Sequence, residues 1–301
     1  MAAADSKHGG PRVLTVDAFT EVPFCGNPCA VVLIEEAGRI NDGTMQLVAA
    51  EMNLSETAFV IPRPLGDGGG FGSVSASDHF DLRWFTPTCE VPLCGHGTMA
   101  AAKAVVAAGN AHGTLTFHTL SGPLAVRCDP GGTIAMDLPN NAPTKDDPAI
   151  DPSVIELAAC GLPVAATAYS ATTKKLLVQL ADSVSREALE GIAPDTTAML
   201  QSHDGSRVRG VIVTTVGHAK PGGYDFISRY FAPWNGIPED PVTGSAHTVL
   251  APHWAAILGR TELRARQCSK RGGDLLLEVG DVTVTVSGQA AVVLDGQLRL
   301  P

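Results

Sequence analysis

Residues 226–249 read F-I-S-R-Y-F-A-P-W-N-G-I-P-E-D-P-V-T-G-S-A-H-T-V, and residues 80–99 read F-D-L-R-W-F-T-P-T-C-E-V-P-L-C-G-H-G-T-M. Both stretches contain F-x-x-R-[WY]-F-x-P. Phe80 aligns with Phe226, Arg83 with Arg229, Phe85 with Phe231 and Pro87 with Pro233, each 146 residues apart. Small, glycine-containing residues and then an alanine-rich apolar run follow in both. The pattern predicts an internal duplication, one strand–turn–helix unit used twice. In the ungapped register Cys94 falls opposite Asp240, so a reactive side chain is expected at the same turn of each copy.

The two apolar runs carry the fold prediction. Residues 95–109 lead from G-H-G-T into M-A-A-A-K-A-V-V-A-A-G, and residues 245–259 carry no Asp, Glu, Lys or Arg. Helices apolar on nearly every side belong inside a structure, enclosed by sheet. Pro252 predicts a kink or a late start in the second helix. Around them the sequence alternates in short β-prone stretches. Strands are expected at 12–19, 29–34, 56–61, 80–85, 115–117, 124–128, 133–138, 165–170, 175–180, 208–215, 275–279, 282–286 and 290–294. Helices are expected at 43–52 and 184–191, and a glycine-rich loop at 66–72. The expected fold is α+β, with two pseudo-symmetric domains. Each is a curved, mostly antiparallel sheet around a central helix, with a cleft between the two.

Bulk properties agree with this and exclude other classes. A chain of 301 residues exceeds what one hydrophobic core supports, so two domains are the default. Apolar residues make up 45% and charged residues 17%, which argues against disorder. The net charge of −10 and a pI near 5.3 would repel a nucleic acid, and no Lys/Arg cluster offsets them. The apolar runs are too short to span a bilayer, and the first carries Lys103. The first ten residues, M-A-A-A-D-S-K-H-G-G, lack the apolar core of a secretion signal, so a mobile tail and a cytoplasmic protein are expected. Seven scattered cysteines fit reduced thiols better than a disulfide framework. Cys25 and Cys29 have no histidine at zinc-finger spacing, so no structural metal is expected.

A helix N-terminus offers unpaired N–H groups and a positive dipole end. Gly95, Gly97, Gly244 and Ser245 are small enough to let an anion approach both interior helices, which makes a carboxylate site. Cys94 and Asp240 at those turns would face the bound molecule with acid/base groups. Plainer roles stay open for each. Asp240 can N-cap the second helix, with Pro241 in its first turn. Cys94 can be an apolar filler or a helix-activated thiol. His96 can be a satisfied core histidine, and Ser245 a cap. Arg83 and Arg229 read as structural, and His247 as packing.

Several pieces together resemble the PhzF-like (phenazine-biosynthesis-like) family. They are G-N-P at 26–28, N-L-S-E-T-A-F at 53–59, R-W-F-T-P at 83–87, C-G-H-G-T at 94–98 and E-D-P-V-T-G-S-A-H at 239–247, with M-D-L-P at 136–139 and S-x-R-G-G at 269–273. That family is related to diaminopimelate epimerase and proline racemase. The resemblance implies a diaminopimelate-epimerase-like fold with one domain of residues 1–122 plus 288–301, a second of 123–287, and the active site in the cleft. It implies a cofactor-independent isomerase moving a proton on a small carboxylate-bearing metabolite, with Glu56 as the general acid/base. His96 and Asp240 assist, and Asn27, Cys94, Gly95, Gly97, Thr98, Gly244 and Ser245 line the substrate site. A homodimer is implied too. Two departures stand out: G-H-G replaces the G-H-P of the phenazine enzyme, and Cys94 precedes it. In the racemase relatives a cysteine at that turn is one of two opposed thiols, and here the ungapped register puts Asp240 in the second place. A Cys94-dependent racemase or a catalytically idle binding protein are the alternatives.

Overall fold

The computed structural model describes residues 10–35, 40–64, 72–144, 150–217 and 223–300. Residues 1–9 of the expected tail and 66–71 of the glycine-rich loop lie outside the described residues. In chain order the first elements are β1 (Arg12–Ala18), β2 (Asn27–Leu33), α1 (Asp42–Met52), β3 (Thr57–Pro62), β4 (His79–Phe85), β5 (Glu90–Val91), α2 (Gly95–Ala107), β6 (Thr114–Thr119) and β7 (Gly122–Cys128). Next come β8 (Ile134–Pro139), α3 (Pro152–Ala159), β9 (Val164–Ser170), β10 (Lys175–Leu180), α4 (Arg186–Gly191), α5 (Thr196–Ser202) and β11 (Gly210–Val216). The chain ends with β12 (Phe226–Phe231), a 3-10 turn (Pro233–Asn235), α6 (Gly244–Leu258), β13 (Glu262–Gln267), β14 (Gly273–Val279), β15 (Thr283–Gly288) and β16 (Ala290–Gln297). These form two compact units. One holds the residues up to Phe24, Pro28–Ala135 and those from Gln289 onward; the other holds Cys25–Asn27 and Met136–Gly288.

In the first unit the strand order is β16-β1-β2-β3-β4-β6-β7, with β5 paired to β4. The β2–β3 and β4–β6 ladders are parallel, whereas β1–β16, β3–β4 and β6–β7 are antiparallel. Helix α2 packs on β1, β3, β7 and β16. Its Met99, Ala100, Ala101, Ala102, Ala104 and Val105 are all 0% exposed, as an interior helix requires. Alanine gives full helix propensity with almost no width, so the strands close tightly around it. One larger residue at Ala101 would overpack the core by about 1–3 kcal/mol. The helix ends where Gly109 takes φ +93, a conformation glycine adopts without a Cβ penalty. Helix α1 is capped by Asn41, whose Oδ1 accepts from the Thr44 N–H at 2.9 Å. It is closed by Asn53 in the left-handed region at φ 49.

In the second unit the order is β8-β15-β14-β13-β12-β11-β10-β9, with β10–β11 and β12–β13 parallel. Helix α6 packs on β10, β13, β14 and β15. On the opposite sheet face Val154 of α3, Leu189 of α4 and Met199 of α5 share a cluster with Leu176, Val178 and Leu180 of β10. Helix α6 begins at Gly244 and runs through Pro252, so the late start does not occur. Proline lacks the N–H that would bond the Thr248 carbonyl. Asn141 fills that place: its N–H donates to Thr248 O at 3.2 Å, and its Nδ2 donates to Thr248 Oγ1 at 3.0 Å.

Helices α3 and α5 and strand β13 were not anticipated. Asp151 followed by Pro152 is an N-cap and first-turn signal for α3, and the Asp151 side chain accepts from the Ser153 N–H at 2.9 Å. Asp195 caps α5 in the same way. Among the described residues no helix is long and apolar enough to cross a membrane. Among the described residues none of the seven cysteines is in a disulfide.

Candidate active site

The duplicated strands keep one side-chain device in both copies. Arg83 of β4 forks onto Glu90, with Nε and Nη2 donating to the two carboxylate oxygens at 2.7 and 2.8 Å. Arg229 of β12 forks onto Glu239 at the same two distances. Each guanidinium also lies 5.1 Å over the aromatic ring two residues on, Phe85 or Phe231. Seven residues separate the first pair and ten the second, so the second copy carries three extra residues between its Pro and its Glu. Helix starts shift with it. Cys94 is the N-cap of α2 and Thr243 the N-cap of α6. The ungapped pairing of Cys94 with Asp240 is therefore wrong. Thr243 is the counterpart of Cys94, and Asp240 that of Val91. The repeated E-x-P-x-x-G, Glu90 to Gly95 and Glu239 to Gly244, carried this register in the sequence.

Around the start of α2 the predicted residues Glu56, Cys94 and His96 come together. Cys94 caps the helix through sulfur, its Sγ accepting from the Gly97 N–H at 3.3 Å. Thr98 folds back, its Oγ1 donating to Cys94 O at 2.7 Å. His96 is 7% exposed. Its Nδ1 stands 3.5 Å from Cys94 Sγ, and its Nε2 3.3 Å from both Ser55 Oγ and Glu56 Oε2. The Glu56–His96 approach is close but poorly aligned, because the buried Oε2 has no hydrogen-bond partner among the described residues.

Glu56 is held between the left-handed turn that ends α1 and the fully buried Thr57 that begins β3. Beside it Cys29 is fully buried, and desolvation, with the Glu56 charge second, pushes its thiol pKa up. Gly97 has a steric reason. A Cβ there would stand 2.8 Å from Trp84 Cδ1 and 3.0 Å from Cys94 Sγ. Gly95 and His96 present the two N–H groups of the first turn without a recorded acceptor among the described residues, so the helix start is open to an anion.

A second polar cluster, in the other unit, surrounds Asp240. Asn27 is 0% exposed and donates from Nδ2 to Asp240 Oδ1 at 2.8 Å and to Val242 O at 2.9 Å. Thr243 Oγ1 donates to Asp240 Oδ2 at 2.5 Å. Gln267 Nε2 donates to Asp240 O at 2.6 Å, and its Oε1 accepts from the Thr243 N–H at 2.9 Å. Asp240 is thus not the cap of α6. It takes the cap's hydroxyl, and Thr243 makes no side-chain capping bond to the helix. The first amides of α6, at buried Gly244 and exposed Ser245, are left without a recorded acceptor among the described residues.

The S-x-R-G-G piece fixes the G-N-P turn. Arg271 donates from Nε to Gly26 O at 2.8 Å and from Nη2 to Cys25 O at 2.9 Å. Ser269 Oγ donates to Pro241 O at 2.7 Å. Ser55, Gln267 and Arg271 are thus supporting residues that spacing alone did not single out. Their partners are distant in sequence or are backbone atoms. His247 is fully buried, as expected of a packing residue. Its Nδ1 lies 2.8 Å from Thr243 O, and burial lowers its pKa to about 4. The ligand atoms of Glu56, Cys94 and His96 lie within 4.8 Å of one another. That sulfur, nitrogen and oxygen set suits a zinc-like ion as well as proton transfer.

Curved sheets packed on an interior helix, one in each unit, make this an α+β protein of the epimerase-like fold. A predicted epimerase from Pseudomonas aeruginosa shares the fold alone, with a TM-score of 0.65 at 21% identity over 97% of this chain and 100% of that one. The chain belongs to the phenazine biosynthesis-like (PhzC-PhzF) family, whose model matches residues 16–296. A PhzF-family structure from Enterococcus faecalis superposes with a TM-score of 0.81 and 37% identity, covering 97% of this chain and 100% of that one. A bovine phenazine biosynthesis-like domain-containing protein is 45% identical over 294 residues, 95% of this chain and 98% of the relative. An uncharacterised isomerase of Pseudomonas aeruginosa is 40% identical over 289 residues, 96% and 98% of the two chains. Two relatives of 40% identity, both from Pseudomonas aeruginosa, carry the name isomerase.

Proposed function

We propose that the protein is a cofactor-independent isomerase that moves a proton on a small carboxylate-bearing metabolite by acid/base catalysis. The observation that carries this is Glu56 Oε2, buried without a hydrogen-bond partner among the described residues and 3.3 Å from His96 Nε2 at the open start of α2. A carboxylate oxygen without a donor is open to accept a proton from a molecule bound beside it, and a base must lie within hydrogen-bond reach of the proton it takes. The Gly95 and His96 amides hold the substrate carboxylate, and Glu56 removes the proton. His96, positioned by Ser55 and Cys94, steadies the charge that develops. Asp240 and Asn27, with Gly244 and Ser245, form the second polar centre proposed for the reaction. A cytoplasmic homodimer is the accompanying assembly, and sedimentation of the purified chain tests the dimer.

Glu56→Gln keeps the shape and removes the base. Solvent deuterium incorporation into a responsive component of a metabolite extract is expected to fall by about 10²–10⁴-fold. Undiminished incorporation would remove Glu56 from the role. A second reading rests on Cys94, whose sulfur lies 3.5 Å from His96 Nδ1 and accepts a helix amide. A thiol-dependent racemase would be inactivated by alkylation of Cys94 and would survive Glu56→Gln.

A further inference from the structure

Lys175 lies in the second unit, and none of the roles assigned above accounts for its placement. It is 7% exposed, and among the described residues no acceptor is recorded for its Nζ. Its contact is with an aromatic face, Nζ lying 5.8 Å from the centroid of Tyr230. Long amines are rarely buried unless paired, and burying a charge without a partner is costly.

The strand pattern fixes where this amine points. Leu176, Val178 and Leu180 of β10 enter the cluster with α3, α4 and α5. By alternation Lys175, Leu177 and Gln179 face the α6 side. Gln179 Oε1 lies 2.9 Å from His253 Nε2 of α6. Lys175 is four residues back along β10, about 13 Å, and the start of α6 is nine residues before His253, about 14 Å. The contact of Lys175 with Tyr230, whose carbonyl accepts from Asp240 just before α6, sets the direction, and the lengths then bring Lys175 level with the beginning of α6. Tyr230 shares that face, since Ile227 and Phe231 of the same strand enter the opposite cluster. The N–H of Asp240 donates to Tyr230 O at 3.1 Å.

Gly210, the partner of Lys175 across β10–β11, leaves the space this needs. A Cβ at Gly210 would overlap Tyr230 Oη and stand 2.6 Å from Cε2, so the tyrosine ring lies over the glycine and toward the lysine. Electrostatics agree with the placement. Burial pushes the Lys175 pKa down to about 8, and the Asp240 charge opposes that fall. No hydrogen bond between the amine and Asp240 is recorded among the described residues, and Asn27 and Thr243 donate to the two Asp240 oxygens.

We propose that Lys175 is a substrate-binding residue, the charged anchor for a carboxylate that sits at the Gly244 and Ser245 amides of α6. Helix amides and a desolvated ammonium are complementary donors for one anion. The amine is held in place by the Tyr230 ring and the Gly210 gap, and the bound carboxylate supplies a negative partner in direct contact. This deepens the proposed function by giving the second polar centre a charged group for an acidic ligand, and it rests on the reading that the substrate is a small acid.

Benzoate and benzamide have one shape and differ by one charge, which makes them the probes for titration calorimetry on the full chain. Benzoate is expected to bind, and benzamide at least about tenfold more weakly. Lys175→Met should weaken benzoate by about tenfold or more and leave benzamide unchanged, whereas Lys175→Arg should retain benzoate. No benzoate binding by the unaltered protein, or equal binding by Lys175→Met, overturns the proposal. A measurement on the unaltered protein stands apart from any folding defect: benzoate should slow reductive methylation of Lys175, read by peptide mass spectrometry, and not that of exposed Lys174. Equal slowing, or none, also overturns it. Glu56→Gln separates the two claims. It should keep benzoate affinity while losing proton exchange; retained exchange sinks the proposed function alone, and an unaffected Lys175→Met sinks the anchor alone.

Discussion

Arg229 and Arg83 make the same fork in two different settings, and this yields a quantitative contrast. The Arg229 side chain is 9% exposed, and Arg83 is 26% exposed. Beyond the fork, Arg229 Nη1 donates to Ile192 O at 2.5 Å, Glu190 O at 3.0 Å and Leu189 O at 3.3 Å. Those are the last carbonyls of α4, so Arg229 caps that helix at its negative end. Arg83 Nη1 instead reaches Asp42, whose side chain is 76% exposed. Arg229→Met strips a half-buried carboxylate and the end of α4 of the donors that a buried guanidinium supplies, which costs about 3 kcal/mol. Arg83→Met breaks pairs that water and salt already weaken, worth about 1 kcal/mol. Urea unfolding followed by circular dichroism, with unchanged slopes, should therefore separate the two variants by about 2 kcal/mol or more. Adding Glu239→Leu to Arg229→Met should recover part of the loss, because the stranded charge is then gone. Equal losses from the two arginines, or a larger loss from Arg83, would refute the assignment of cost to burial and to the α4 cap.

His247 should make the fold acid-sensitive. Its native pKa near 4 lies below the ordinary 6.5, so its contribution is complete above about pH 6.5 and is lost as pH falls toward 4, reaching about 2 kcal/mol at pH 5. His247→Gln should lose correspondingly less between pH 7 and pH 5 in urea titrations; parallel losses would remove His247 as the cause. Gly97→Ala should cost about 1–3 kcal/mol by forcing Trp84 or Cys94 aside, with a shifted tryptophan emission and lowered proton exchange. An unshifted emission with full stability contradicts the contact. Pro252→Ala should change stability by less than about 1 kcal/mol, although proline inside a helix ordinarily costs about 3 kcal/mol, because Asn141 already serves the Thr248 carbonyl; a gain near the full amount would show that it does not.

What the sequence disclosed depended on how local each signal was. The interior helices were legible because their alanines are contiguous and uncharged, and the strands because their alternation is short-range. Glu56 and His96 were legible only through their motifs, since what brings them together is a β2–β3–β4 arrangement spanning distant residues. The pairing of Asp240 with Cys94 failed because three extra residues before Glu239 shift the helix start to Thr243, a change that an ungapped comparison cannot express. Helix α3 had a readable Asp151–Pro152 signal that was passed over. Lys175 looked like an ordinary strand residue. Its burial against Tyr230 is a property of the packed sheet, and no spacing encodes it.

The arginine fork has a consequence for how this molecule can be altered. Each clamp fastens both ends of its loop, strand side and helix side, while the span between has accepted a difference of three residues without disturbing either end. Such a span behaves like a socket of fixed rim and adjustable depth. Variants with longer or shorter inserts between Pro233 and Glu239 should therefore leave helix α6 and its cap where they are, which makes that segment the natural place to graft new recognition onto an old scaffold.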